Sequence, residues 1–201
     1  MKIGSKAVAD DVKILDVLEG TNAGAASYAE AYMQRIDGIT LADNQVAYYA
    51  TNSKGEISEL ILKNVTGDAY TYGLITSGYN DDKGYASIEA DGKTYTASFS
   101  NLAFGCGAQL VIDSATGTVK NAYKLPSYAI GKSNLTASAA YSGNNVYRIS
   151  DKVKVYLKTG TQFSMISLNE AVSGDYHYTC YYDKSDAKGG RIRVIVAEKA
   201  D

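Results

Sequence analysis

A pattern that occurs twice, once near each end of the 201-residue chain, restricts the fold more than any other property of this sequence. Asp11-Val12-Lys13-Ile14, with Asp10 just ahead of it, returns as Lys152-Val153-Lys154-Val155 behind Asp151. Lys2-Ile3 precedes the first occurrence and Arg148-Ile149 the second. Further along, Ile39-Thr40-Leu41 is matched by Ile166-Ser167-Leu168. Tyr48-Tyr49 followed by Lys54-Gly55-Glu56-Ile57 is matched by Tyr181-Tyr182 followed by Lys188-Gly189-Gly190-Arg191-Ile192. Matches that keep their order across unequal spacers predict a duplicated unit. The expected division is an N-terminal β unit over 1–65, a different strand-rich unit over 66–145, and a second copy of the first unit over 146–201.

Within each copy the periodicity is that of strands. Ile192, Val194 and Val196 alternate with Arg191, Arg193 and Ile195, which predicts a strand with one dry face. Tyr176, Tyr178, Cys180 and Tyr182 alternate in the same way with His177, Thr179, Tyr181 and Asp183. Residues 183–190 form the loop of a closing hairpin, and residues 51–55 are the shorter equivalent. In the middle unit, Asp91-Gly92 and the stretch from Asp113 to Gly117 predict two more hairpins, because these residues tolerate positive φ. Gly105, Cys106 and Gly107 predict a bulge or a sharp bend. Residues 22–37 resist this reading: Ala25, Tyr28, Ala29, Tyr32, Met33 and Ile36 fit helical spacing, and alternation fits almost as well.

Composition agrees with strands and turns. There are 18 tyrosines, three phenylalanines, no tryptophan, 19 glycines and one proline. The fold class expected is all-β, built of small antiparallel barrel-like or sandwich-like units, two related end units and a different middle unit. Twenty basic residues against 22 acidic ones leave a formal charge of −2, which argues against a nucleic-acid partner, because such a partner calls for a basic stripe. No run approaches the roughly 18 to 20 apolar residues of a membrane span, so membrane insertion is not expected. The residues after Met1 have no apolar core of a signal peptide. Two readings stay open: a cytoplasmic chain, or a piece of a longer secreted protein. Cys106 and Cys180 allow one disulfide or two free thiols.

The chemistry-bearing residues are sparse. His177 stands mid-strand with no nucleophile or orienting acid at a motif spacing, so no catalytic residue is expected. Asp81 and Asp82 miss the alternating ligand pattern of a calcium loop, and neither a metal nor a cofactor is expected. Paired carboxylates of a glycosidase are a property of the fold and cannot be read from spacing. Tyrosine is the informative excess. Tyr48, Tyr49, Tyr181 and Tyr182 are the candidate ligand-binding residues, since adjacent strand residues face opposite ways and an outward ring can stack on a sugar. The alternative is that tyrosine simply serves as the aromatic of core and boundary.

At YYDKSDAKGGRIRVIVAEK the chain resembles the repeated β modules of surface-layer-type proteins of Gram-positive bacteria, which often accompany surface-layer homology domains. The ISDKVKVYLKTG segment, the Ile166-Ser167-Leu168 motif and the tyrosine-rich strand look like the closing module of such proteins. GEISELILKNVTGDAYTYGLI resembles a joint between modules. The resemblance is carried by 146–201 and, more thinly, by 1–77. It implies a secreted, wall-associated polypeptide whose modules act as spacers, lattice-forming parts or ligand-presenting parts, with neighbouring modules of a longer parent protein as partners. Cell-wall or host glycans are the further partner it suggests. It brings no catalytic residue. This sequence contains no helical surface-layer homology repeat, so an anchor is expected elsewhere in the parent.

Overall fold

Alternating β-branched and aromatic residues, broken at short intervals by glycine turns, give strands nearly everywhere. The computed structural model describes residues 2–18 and 27–200. The protein is all-β: 58% of the described residues lie in strands and 10% in helix, and the sheets are curled into half-barrels. It divides into two compact units. The first comprises Met1–Tyr70 with Ser114–Thr116 and Ala187–Gly189; the second comprises Thr71–Asp113, Gly117–Asp186 and Gly190–Asp201.

The first unit is one five-stranded sheet, here sheet I: β1 (Lys2–Ile3), β2 (Lys6–Leu18), β3 (Ser27–Ala31), β4 (Val46–Thr51) and β5 (Ile57–Lys63). Its order is β1-β2-β5-β4, and β3 lies beside β2 as well. Gly4, at φ 60°, makes the turn from β1 into β2 that a residue with a Cβ resists. Val8, Ile14, Ile57, Leu60 and Leu62 point to one side and bury against Ile36 of the single-turn helix α1 (Met33–Ile36) and against Val65. Two buried polar groups close the unit. The Asp16 carboxylate accepts N–H bonds from Val65 and Thr66 and the Thr66 hydroxyl. Arg35 forms a two-pronged pair with Asp68, at 2.8 and 3.0 Å.

Part of the segment with ambiguous periodicity, 22–26, lies outside the described residues. The remainder resolves into strand β3 and then the one turn of α1. Five backbone pairings from Ile14↔Ala31 to Leu18↔Ser27 tie β3 to β2, whereas so short a helix has little stability of its own.

The second unit holds two sheets. Sheet II, of five strands, runs β10-β9-β6-β7-β8 with β6 (Thr71–Asn80), β7 (Tyr85–Ala90), β8 (Lys93–Ala97), β9 (Gly107–Ile112) and β10 (Val119–Lys124). It is antiparallel throughout, and both hairpins expected from the sequence are present. Asp91 and Gly92, at φ 52° and 71°, turn β7 into β8. Its core is small and alanine-rich, with Ile75, Ile88, Leu102 and Leu110 among Ala86, Ala90, Ala97, Ala108 and Ala122. Sheet III, of six strands, contains β11 (Ser127–Ile130), β12 (Ala139–Ser142), β13 (Asn145–Thr159), β14 (Gln162–Ile166), β15 (Tyr176–Tyr182) and β16 (Ile192–Lys199). Its order is β11-β15-β16-β13-β12, with β14 also on β13. The one-and-a-half-turn helix α2 (Leu168–Ser173) is opened by a capping box between Ser167 and Glu170. Sheet III thus begins its pairings at Ser127, ahead of the boundary near 145 suggested by the repeat.

Sheets I and III use the same pairing register. The long strand β2 pairs in parallel with β5 at Val8↔Ile57, slips, and resumes at Lys13↔Glu59. The long strand β13 pairs in parallel with β16 at Ile149↔Ile192, slips, and resumes at Lys154↔Val194. In both, four residues of the long strand lie opposite one of its partner. The flanking pairings correspond as well: Ile14↔Ala31 with Val155↔Ile166, and Thr51↔Ile57 with Tyr182↔Ile192.

Four sequence expectations need correction here. The end sheets are mixed rather than purely antiparallel, because each carries one parallel pair at its centre. By register, Ile166-Ser167-Leu168 corresponds to Ala31-Tyr32-Met33 and not to Ile39-Thr40-Leu41. Likewise Tyr181-Tyr182 corresponds to Ala50-Thr51 and not to Tyr48-Tyr49. Strand β16 is dry on both faces from Ile192 to Ala197, since it lies between β13 and β15 with material on either side.

Candidate functional site

Strands β3, β2, β5 and β4 turn their second face, opposite the core, toward solvent. Alternation from the buried Ile14 and Leu60 places Lys13 and Leu15 of β2 and Glu59 and Ile61 of β5 on that face. Leu15↔Glu30 brings in β3, and Tyr48↔Ile61 brings in β4. Because the sheet is curled, these six side chains line an open groove of about 640 Å3. Leu15 and Ile61, half-buried, form its floor, and Lys13, Glu30, Tyr48 and Glu59 are its exposed rim. Lys13 and Glu59 are cross-strand neighbours, so the rim carries both signs of charge side by side.

The four candidate tyrosines fall into two environments. Tyr48 is 51% exposed and lines the groove. Tyr49 is 46% exposed and faces the other way, with Lys6 Nζ 5.8 Å from its ring centroid. Both stay accessible because β4 is an edge strand. Tyr181 is only 6% exposed, and its hydroxyl donates to the Gly105 carbonyl at 3.0 Å. Its burial pushes the phenol well above its ordinary range. Tyr182 is half-buried in a cluster with Tyr128 and Tyr147, at centroid distances of 5.8 and 5.0 Å. Tyr181 therefore serves as core; of the four candidates only Tyr48 and Tyr49 are exposed, and Tyr28 is exposed on the groove face of β3.

The remaining singled-out residues have local roles. His177 is exposed on β15 opposite Glu198. Asp81 and Asp82 are exposed in a turn organised by the Asn80 side-chain amide, whose Oδ1 accepts the N–H groups of Asp82 and Lys83. Cys106 and Cys180 are both free thiols. Burial pushes Cys180 from its ordinary 9.0 up to about 12. Among the described residues no group of three or more His, Cys, Asp or Glu side chains is placed to hold a metal ion.

Two features escaped sequence reasoning. One is the groove itself, whose floor residues Leu15 and Ile61 look like ordinary strand positions until pairing brings them side by side. The other is the buried pair of Arg193 and Asp183, with side chains 3% and 4% exposed and a separation of 2.7 Å. Arg193 also donates to the Ser150 hydroxyl and lies 4.7 Å from the Tyr72 ring, while Tyr72 donates its hydroxyl to Asp183. An arginine in an otherwise apolar run, ten residues after a turn aspartate followed by lysine, was the available signal. No family model, no curated protein and no solved structure matches the chain.

Proposed function

We propose that the chain is a non-catalytic structural or interaction module of a secreted bacterial surface protein of the surface-layer type, and that sheets I and III are two copies of one module. The observation that carries this reading is the common register of the two sheets, including the same slip in the parallel pair. A register slip of one residue would turn every side chain over, so its retention in two sheets of different sequence points to one ancestral architecture used twice. The sequence resemblance at residues 146–201 supplies the surface setting. In that setting the partners are neighbouring modules of a longer parent, and the location is extracellular. Labelling intact producing cells with a membrane-impermeant amine reagent tests it. Labelled protein in the wall fraction is the expected outcome, and unlabelled protein confined to the cytosol would refute it.

A second reading, a glycan-binding module, is favoured by Tyr48 and Tyr28 standing on the groove face beside carboxylates and a lysine. An exposed ring flanked by hydrogen-bonding groups is the arrangement that stacks on a pyranose face. A glycan array probed with the wild type and with Tyr48→Ala decides it: signal lost in the variant supports binding, and no signal above background in either retires it.

A further inference from the structure

One face of sheet III is a filled interface. Lys154, Tyr156, Val194, Val196 and Tyr181 share that face, and sheet II lies on it. The Tyr156 hydroxyl donates to the Glu89 carbonyl and the Tyr181 hydroxyl to that of Gly105. Lys154 pairs with Asp91 at the tip of the β7–β8 hairpin and is left 13% exposed. Phe163 packs on Phe104 at 5.4 Å. Gly107 lies so close to the Tyr181 ring that a Cβ there would come within 2.7 Å of it. The common register puts Lys13, Leu15, Glu59, Ile61 and Ala50 of sheet I at the five corresponding positions. Three of those five keep their kind, Lys13 for Lys154, Leu15 for the ring of Tyr156 and Ile61 for Val196, while Glu59 and Ala50 differ from Val194 and Tyr181.

We infer that the Leu15–Ile61 groove of sheet I is a docking surface for a five-stranded sheet of the β6–β10 kind, carried ahead of sheet I on the same polypeptide. The source of the occupant rests on the reading of the chain as part of a longer modular protein. Its position follows from chain order. Sheet II precedes sheet III in sequence and β12 corresponds to β1, so the counterpart of sheet II belongs ahead of β1. Charge sets its chemistry. Lys13 calls for an acid at the place of Asp91, and Glu59, standing where sheet III has Val194, calls for a cation or an N–H donor opposite. Ala50 replaces the bulky Tyr181, so the occupant carries a side chain where sheet II has Gly107.

The test prefixes the full chain with a second copy of residues 71–138 joined to Lys2 and follows acetylation of Lys13, using Lys154 in the same molecule as the reference for a covered lysine. Two forms are compared, one with the native groove and one carrying Ala50→Tyr and Glu59→Val, which converts the groove to the face of sheet III. The expected result is loss of Lys13 labelling to the Lys154 level in the converted form and a partial loss in the native form. Ile61→Asp in either should restore labelling at Lys13 and leave Lys154 unchanged. Lys13 labelled as in the unextended chain in both forms overturns the inference. The native form is also prepared with Gly107→Leu in the prefixed copy only, the side chain that Ala50 leaves room for. Protection in the converted form alone, with Lys13 of the native form labelled even beside that altered copy, overturns the inference, because the native face would then reject a sheet matched to it. Cell-surface labelling is a separate readout: a surface-located chain with an unprotected Lys13 fails this inference alone, and a cytosolic chain with a protected Lys13 fails only the reading above.

Discussion

Arg193 and Asp183 show how one residue pair decides whether an apolar strand can hold a charge. With both side chains nearly closed off from water, the cost of burial is offset only while each has the other, and Asp183 further accepts the N–H groups of Lys184 and Arg191. Asp183→Ala leaves the guanidinium without its carboxylate and should lower unfolding stability by about 3–5 kcal/mol in urea titration. A loss within the range of an exposed ion pair, under about 1 kcal/mol, would mean that Arg193 finds water instead. The buried acids of high pKa give a second expectation. Cys180 ionises at 9.0 in the open chain and at about 12 when folded, and Tyr156 and Tyr181 are also raised by burial. The unfolded chain therefore loses these protons first, so it binds fewer protons than the folded one over this range. Stability is complete below about pH 9 and falls from there toward pH 12. Urea unfolding across that range should show the fall, and Cys180→Ala should make it shallower.

At the scale of elements, the strands differ in how completely their faces are covered. Leu60 in β5 and Ile195 in β16 correspond by register and are equally buried. Replacing either by alanine should cost about 2–5 kcal/mol, whereas Ile61→Ala, on the open face, should cost less than either in the same denaturant assay. A cost at Ile61 equal to that at Leu60 would show that the groove is filled in the isolated chain. The close approach of β9 to β15 is equally specific. Gly107→Ala drives a methyl group into the Tyr181 ring and should cost about 1–3 kcal/mol, relieved in the double variant Gly107→Ala with Tyr181→Ala. Much of this level was legible beforehand. The Asp91-Gly92 and Asp113–Gly117 hairpins, and the strand character of β15 and β16, follow from local rules that act within a few residues. The parallel pairs were not legible, because Val8 and Ile57 are joined only by the route the chain takes through β3, α1 and β4. Nor was the dryness of Tyr181 on its second face, which is produced by a sheet 70 residues earlier in sequence.

For the whole molecule, the repeated pattern was the strongest long-range signal, and its limits are instructive. Asp10 to Ile14 and Asp151 to Val155 align in the register that the sheets use, because both sheets keep identical spacing across the slip. The tyrosine pairs were aligned two residues out of register, because identity of type attracted the match while backbone pairing set the position. The groove of sheet I was invisible for a related reason: it is defined by what sheet III has on the same face. The claim on which the functional reading turns is that two portions of different sequence share one pattern of backbone pairing. Backbone NOEs across the central parallel pairs measure that pattern directly. The expected spectrum links Val8 with Ile57 and Lys13 with Glu59, and also links Ile149 with Ile192 and Lys154 with Val194. Cross-peaks placing the slip at different positions in the two sheets, or an antiparallel pattern in either, would contradict it.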